Sequence, residues 1–141
     1  MLVVPFQAGH LTKLPLQSAQ AYLSEWVSNE SGKVLEDSPS YTALVGNEPV
    51  AAAGILPQWH GRAIAWAFLS SMGAGQFIGV HRAVKGFLDG CYVQRVEMTV
   101  DCDFPEAHRW AEMLGFTMEA ERMKAYSLDG RDCALYARVL K

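Results

Sequence analysis

The sequence predicts a mixed α/β (α+β) fold: a mostly antiparallel sheet with helices on both faces, in the order β-α-β-β-β-α-β-α-β-β. Three observations carry this reading. Residues 41–69 hold three short apolar runs separated by turn signals, as in an antiparallel meander. From Gly75 the apolar spacing becomes helical, and a strand and a second helix follow. The last stretch reads as two strands joined by Asp129-Gly130. A length of 141 residues suits one domain spanning the whole chain.

Element by element, residues 2–6 form a short first strand. Pro15 opens a helical pattern in which Leu16, Ala19, Leu23, Trp26 and Val27 share one face. Residues 28–40, rich in Ser, Gly, Asn and Asp, read as a loop with room for a short helical turn. Residues 41–45 and 50–56 are strands split by Gly46-Asn-Glu-Pro49, and Gln58-Trp-His-Gly61 turns the chain into a strand at 63–69. In 75–88 the apolar residues Phe77, Val80, Val84, Phe87 and Leu88 have helical offsets, and Gly90 ends that helix. Val96, Met98 and Val100 alternate with Arg95, Glu97 and Thr99 in a strand at 95–100. Asp103-Phe-Pro-Glu106 has the form of a helix start, with Asp103 as cap and Glu106 reciprocating. That helix turns Ala107, Trp110, Ala111 and Leu114 inward and stops at Gly115; residues 116–128 and 132–140 are the closing strands.

Composition narrows the function classes. Half the residues are hydrophobic and 19% charged, the balance of an ordinary globular protein. A net charge of −3 points away from a nucleic-acid partner, whose phosphates need a basic surface. Three cysteines without a Cys-x-x-Cys spacing give neither a disulfide framework nor a zinc site, so no metal is expected. No apolar run reaches the roughly 18 residues that span a bilayer, and Met1-Leu-Val-Val-Pro-Phe6 lacks the form of an export signal. A cytoplasmic protein with no membrane partner is expected.

The informative junction lies between the strand at 63–69 and the helix from Gly75. It reads Phe68-Leu-Ser-Ser-Met-Gly-Ala-Gly-Gln76. Glycines at 73 and 75 allow a tight turn and a close approach of the main chain to a ligand. The helix start leaves amides unpaired at the positive end of its dipole, and no acidic residue lies in 70–79 to meet them. Such a junction binds a phosphate or diphosphate.

These residues carry a resemblance. Ser70-Ser-Met-Gly-Ala-Gly75 is similar to the Gln/Arg-x-x-Gly-x-Gly/Ala signature of GNAT N-acetyltransferases, with Ser70 in place of Gln or Arg. Ala107, Trp110 and Leu114-Gly-Phe116 resemble the family's second signature, a helix ending in Leu-Gly-Phe. More narrowly, Gly61-Arg-Ala-Ile-Ala-Trp66, His108-Arg-Trp110 with Met113-Leu-Gly-Phe116, and Leu135-Tyr-Ala-Arg138 resemble small GNAT-like proteins of tailed bacteriophages and prophages, some of them virion or morphogenesis proteins.

The resemblance implies a GNAT-like sheet with a central V-shaped split beside the glycine loop. Acetyl-CoA would pair its pantetheine arm with the backbone of Phe68, Leu69 and Ser70. Its pyrophosphate would rest on amides of Met72, Gly73, Ala74, Gly75 and Gln76. The chemistry requires a proton taken from an ammonium and one returned to the leaving thiolate. The family's usual acid, a Tyr four residues before the helix-ending Gly, is here Ala111, and its Asn near the helix start is Phe104. Nor is there an acidic residue in 63–69. The candidates are then Glu97 on the flanking strand, His108 in the last helix, and Tyr126 or Tyr136 on the terminal hairpin, with Asp101 and Asp103 near the same mouth. Arg82 and Lys85 are candidates for the 3′-phosphate of coenzyme A, and Trp59 and Trp66 for an acceptor pocket.

Two functions follow. One is transfer of acetyl from acetyl-CoA to a primary amine of a small molecule or protein by a monomer or homodimer. The other is a catalytically silent GNAT-like module that acts in phage assembly or binds a host protein.

Overall fold

The structure, a computed structural model, describes residues 1–18, 20–21 and 29–141. Its strands are β1 (Leu2–Pro5), β2 (Ser40–Val45), β3 (Glu48–Trp59), β4 (Arg62–Leu69), β5 (Arg95–Asp101), β6 (Thr117–Met123) and β7 (Cys133–Val139). The helices are α1 (Ala8–Lys13), α2 (Asn29–Glu36), α3 (Ala74–Asp89) and α4 (Pro105–Met113). The strands hydrogen-bond in the order β1-β2-β3-β4-β5-β7-β6. The pairs β1/β2, β2/β3, β5/β7 and β6/β7 are antiparallel; β4/β5 is parallel. The sheet is therefore mixed and mostly antiparallel, as the apolar pattern predicts. No helix among the described residues is long and apolar enough to cross a membrane.

Contacts gather the chain into two units. The first comprises residues 1–56 and 66–89. Its core is Phe6, Leu11, Leu14, Leu35, Ala52 and Phe68, with Leu16 and Trp66 packed against it. Trp66 lies between the rings of Phe6 (5.4 Å) and Phe68 (5.7 Å). Here the helices differ from expectation. The first precedes Pro15, and residues 29–36 are helical where a loop with a turn was expected. The two pack closely, since a Cβ on Gly32 would lie 3.0 Å from Ala8. The expected helical face at Ala19, Leu23, Trp26 and Val27 falls outside the described residues. At α1 the Gln7 N–H donates to His10 Nδ1, and the Thr42 hydroxyl lies 2.8 Å from the same nitrogen. Burial, helped by Lys13, lowers the His10 pKa against the pull of Glu36.

The second unit comprises residues 57–65 and 90–141. The β4/β5 registry is Arg62–Arg95, Ala63–Val96 and Ile64–Glu97, while β5 pairs with β7 over its whole length. Val96, Val100, Trp110, Ala111, Leu114, Phe116, Ala134 and Tyr136 are buried together with it. Phe104, not Asp103, is the N-cap of α4, and it makes no side-chain cap. Asp103 instead turns its own N–H to Asp101 Oδ1, and Glu106 reaches Arg109. β6 ends at Met123, five residues short of the expected strand. Its ladder shifts register twice, and beyond it Ala125 adopts φ +51° with its N–H held by Asp132.

Candidate active site

β4 delivers Phe68, Leu69 and Ser70 buried to the end of the strand. The N–H and the hydroxyl of Ser70 both donate to the Val50 carbonyl, at 2.9 Å each. At the position where the family signature has a long polar side chain, Ser70 thus ties the loop to β3. The chain then surfaces. Met72 is half-buried, and Ser71, Gly73, Ala74, Gly75 and Gln76 are exposed. Phe77 makes the first helical bond, to the Gly73 carbonyl at 3.0 Å. Among the described residues no hydrogen bond occupies the main-chain amides of 71–76, and the first turn holds no acid. A Cβ on Gly73 or Gly75 would meet nothing within 4 Å. Neither glycine has a positive φ, so neither is needed for a tight turn; their effect is to leave the amides bare. Exposed, unpaired N–H groups at the positive end of a 16-residue helix fit the oxygens of a diphosphate.

The strand leading into this loop meets the expectation differently. Beyond residues 62–64, where β5 pairs with it, the main chain of β4 is already occupied. Gln20 Oε1 accepts the Leu69 N–H, and Gln20 Nε2 donates to the Ala67 carbonyl, both at 2.8 Å. The Gln17 N–H takes the Leu69 carbonyl, also at 2.8 Å. The main-chain groups that a pantetheine arm would pair with at Leu69 are satisfied from within the chain. Gln17 and Gln20 bear on the site through contacts 47 to 52 positions apart, and no local pattern in the sequence announces them.

The titratable candidates form two groups. Glu97, 9% exposed, accepts a bidentate pair from Arg62 (2.8 and 2.8 Å) and a further bond from Arg95 (2.6 Å). Arg95 continues to Glu119, and the Arg62 guanidinium lies 4.7 Å over the ring of Trp59. The Arg62 hydrogen bonds above all, with those of Arg95 and against partial burial, hold the Glu97 carboxyl at a pKa of about 2. Arg62 is raised chiefly by its bond to Glu97. Tyr126 is exposed in the β6–β7 connection. Its N–H bonds the Arg131 carbonyl, and Arg131 in turn reaches Asp101.

His108 belongs to the second group. Its Nδ1 lies 2.8 Å from the Tyr136 hydroxyl and its Nε2 3.3 Å from the Cys102 carbonyl. A carbonyl only accepts, so Nε2 carries the hydrogen and Nδ1 accepts from Tyr136. Tyr136 is 1% exposed, and burial raises its pKa. Met98 is registered with Tyr136, and Glu97 with Ala137. Successive strand residues point to opposite faces, so Glu97 and the His108–Tyr136 pair lie on opposite faces of this part of the sheet. The structure brings Glu97 to Arg62 and Arg95, leaves Tyr126 on the β6–β7 connection, and sets His108 apart with Tyr136. Ala111 is fully buried, Lys85 is paired with Asp89, and Trp66 belongs to the core.

Taken whole, the chain has the fold of GNAT acetyltransferases. Ard1 from Thermoplasma volcanium matches with a TM-score of 0.78 and 19% identity, over 99% of this chain and 97% of that one. A GNAT-family acetyltransferase from Bacillus anthracis matches at 0.63 and 12%, over 97% and 93%. RimL, a ribosomal L7/L12 alpha-N-protein acetyltransferase in complex with coenzyme A, matches at 0.65 and 17%, over 94% and 86%. At these identities the likeness is one of fold. No protein-family model and no curated protein matches the sequence.

Proposed function

We propose that this chain is a cytoplasmic N-acetyltransferase, a monomer or homodimer, that moves an acetyl group from acetyl-CoA to a primary amine. One observation carries the reading: a row of unpaired, exposed amides over residues 71–76, at the β4–α3 junction of an acetyltransferase fold. Met72, Gly73, Ala74, Gly75 and Gln76 hold the diphosphate, and the β4 backbone at Phe68, Leu69 and Ser70 guides the arm. When bound, the cofactor supplies an activated thioester. This chain's residues orient the amine and manage two protons. His108, whose Nδ1 already accepts from the Tyr136 hydroxyl, takes up the proton through that hydroxyl, which then returns one to the thiolate. Tyr126, exposed in the β6–β7 connection and apart from His108, is the alternative proton donor to the thiolate. Glu97 fixes Arg62 and Arg95, since a carboxyl near pKa 2 is a poor base at neutral pH.

Calorimetry with coenzyme A tests the cofactor, and thiol release from acetyl-CoA with a panel of primary amines tests the chemistry. Binding in the micromolar to millimolar range is expected. Gly75→Glu, whose Cβ meets nothing within 4 Å and whose carboxylate lies by the bare amides, is expected to weaken it at least about 10-fold with Tm unchanged or raised. No heat at millimolar coenzyme A ends this reading.

A second reading is supported by the occupied edge of β4, by Ser70 and Ala111, and by the full engagement of Glu97 and of both His108 nitrogens. It is a catalytically silent GNAT-like protein of phage assembly or host interaction. It predicts no thiol release with any amine, whether or not coenzyme A binds.

A further inference from the structure

Two adjacent features of β4 compete for the same kind of partner. The loop after Ser70 offers bare amides, whereas Leu69 and Ala67, just before it, have theirs closed by a single side chain. The Gln20 carboxamide accepts from the Leu69 N–H and donates to the Ala67 carbonyl, the two bonds that one residue of a neighbouring strand would make with its N–H and its C=O. An arm leaving a diphosphate on 72–76 and running back along β4 reaches Leu69 first and Ala67 next. The pantetheine arm carries two secondary amides in succession, and the N–H of one with the C=O of the next offers the pair that the carboxamide supplies.

We propose that Gln20 is an internal stand-in for the amides of the pantetheine arm, an autoinhibitory contact that must leave before coenzyme A seats along β4. The proposal rests on the acetyl-CoA reading above. Release is chemically easy. Gln20 is half-buried, both of its groups regain hydrogen bonds in water, and the arm replaces what β4 loses. Gln17, which holds the Leu69 carbonyl and whose own carbonyl accepts the Gln20 N–H, moves with it. The apparent affinity for coenzyme A is then reduced by the fraction of molecules in which Gln20 is closed.

The test compares the wild type with Gln20→Ala and Gln20→Asn, whose side chains are too short to bridge Leu69 and Ala67. Titrations use coenzyme A and, separately, adenosine 5′-diphosphate, which carries the diphosphate and lacks the arm. Amide exchange at Leu69 is followed in parallel. Both variants are expected to bind coenzyme A about 10-fold more tightly than the wild type and the diphosphate equally. Leu69 exchange is expected to be slow in the free wild type, fast in the free variants and slow in all three with coenzyme A. Equal or weaker coenzyme A binding by variants whose free Leu69 exchanges fast overturns the proposal and leaves the cofactor reading standing. Slow Leu69 exchange in the free variants overturns it too, because Gln20 then closes nothing. If neither ligand binds any of the three proteins, the cofactor reading fails and the proposal falls with it.

Discussion

At Ala125 a single residue carries a conformation that its side chain opposes. It is the only non-glycine with positive φ among the described residues, at +51°. Its N–H bonds Asp132 Oδ1 at 2.9 Å, while the other oxygen of Asp132 holds Arg122 at 2.7 Å. An L-residue in this left-handed region costs about 1–2 kcal/mol, and glycine escapes that cost at some expense in chain entropy. Ala125→Gly is therefore expected to stabilise the protein by roughly 0.5 kcal/mol, read as a shift of the urea midpoint at constant m-value. A destabilisation of the same size would mean that Asp132 and Arg131 do not strain the turn.

Among the elements, the sharpest constraint is where β3 passes the start of β2. A Cβ on Gly54 would lie 2.5 Å from the Pro39 carbonyl oxygen and 2.8 Å from Ser40 Cα, both main chain. That approach accompanies the bond from the Ile55 N–H to the Pro39 carbonyl. Gly54→Ala must push two strands apart and is expected to cost about 1–3 kcal/mol, lowering Tm by several degrees. An unchanged Tm would show that β2 can yield there. The elements also differ in how far the sequence announces them. β2 to β5 and α3 are legible because their apolar periods run long enough to be distinctive. α1 is not, because six residues hold too little of a period, and it forms where Leu11 can be buried. Asn29–Glu36 has a loop's composition, and Gly32, which lowers helix propensity, is the residue that lets the helix close on Ala8. The glycine loop is legible for the same local reason as α3. The partners of Glu97 and of Leu69 are not, since Arg62 is 35 positions from Glu97 and Gln20 is 49 from Leu69.

For the molecule as a whole, the Glu97 network sets how stability depends on acid. The Glu97 pKa is depressed to about 2 from an ordinary value of 4.5. A depressed carboxyl stabilises the folded state fully above the unfolded value, and the contribution disappears as pH falls from about 5 towards 2. Glu97→Gln keeps the shape but leaves the Arg62 and Arg95 guanidiniums facing each other without their shared anion. It is expected to lose roughly 2–3 kcal/mol at pH 7 and to show a shallower fall in stability below pH 5. Chemical denaturation at several pH values measures both. An unaltered acid slope would place the acid sensitivity on the other depressed carboxyls, Glu119, Asp129 and Asp132.

The two open glycines of the β4–α3 loop bear on what their positions are for. Alanine at either would fit without strain or collision, and at the head of a helix it would restrict the unfolded chain more than glycine does. As far as folding alone is concerned, residues 73 and 75 are suboptimal. Under the acetyl-CoA reading, hydrogen in place of methyl at these two positions lets a visitor from solution come nearer to the main chain than a methyl group would allow.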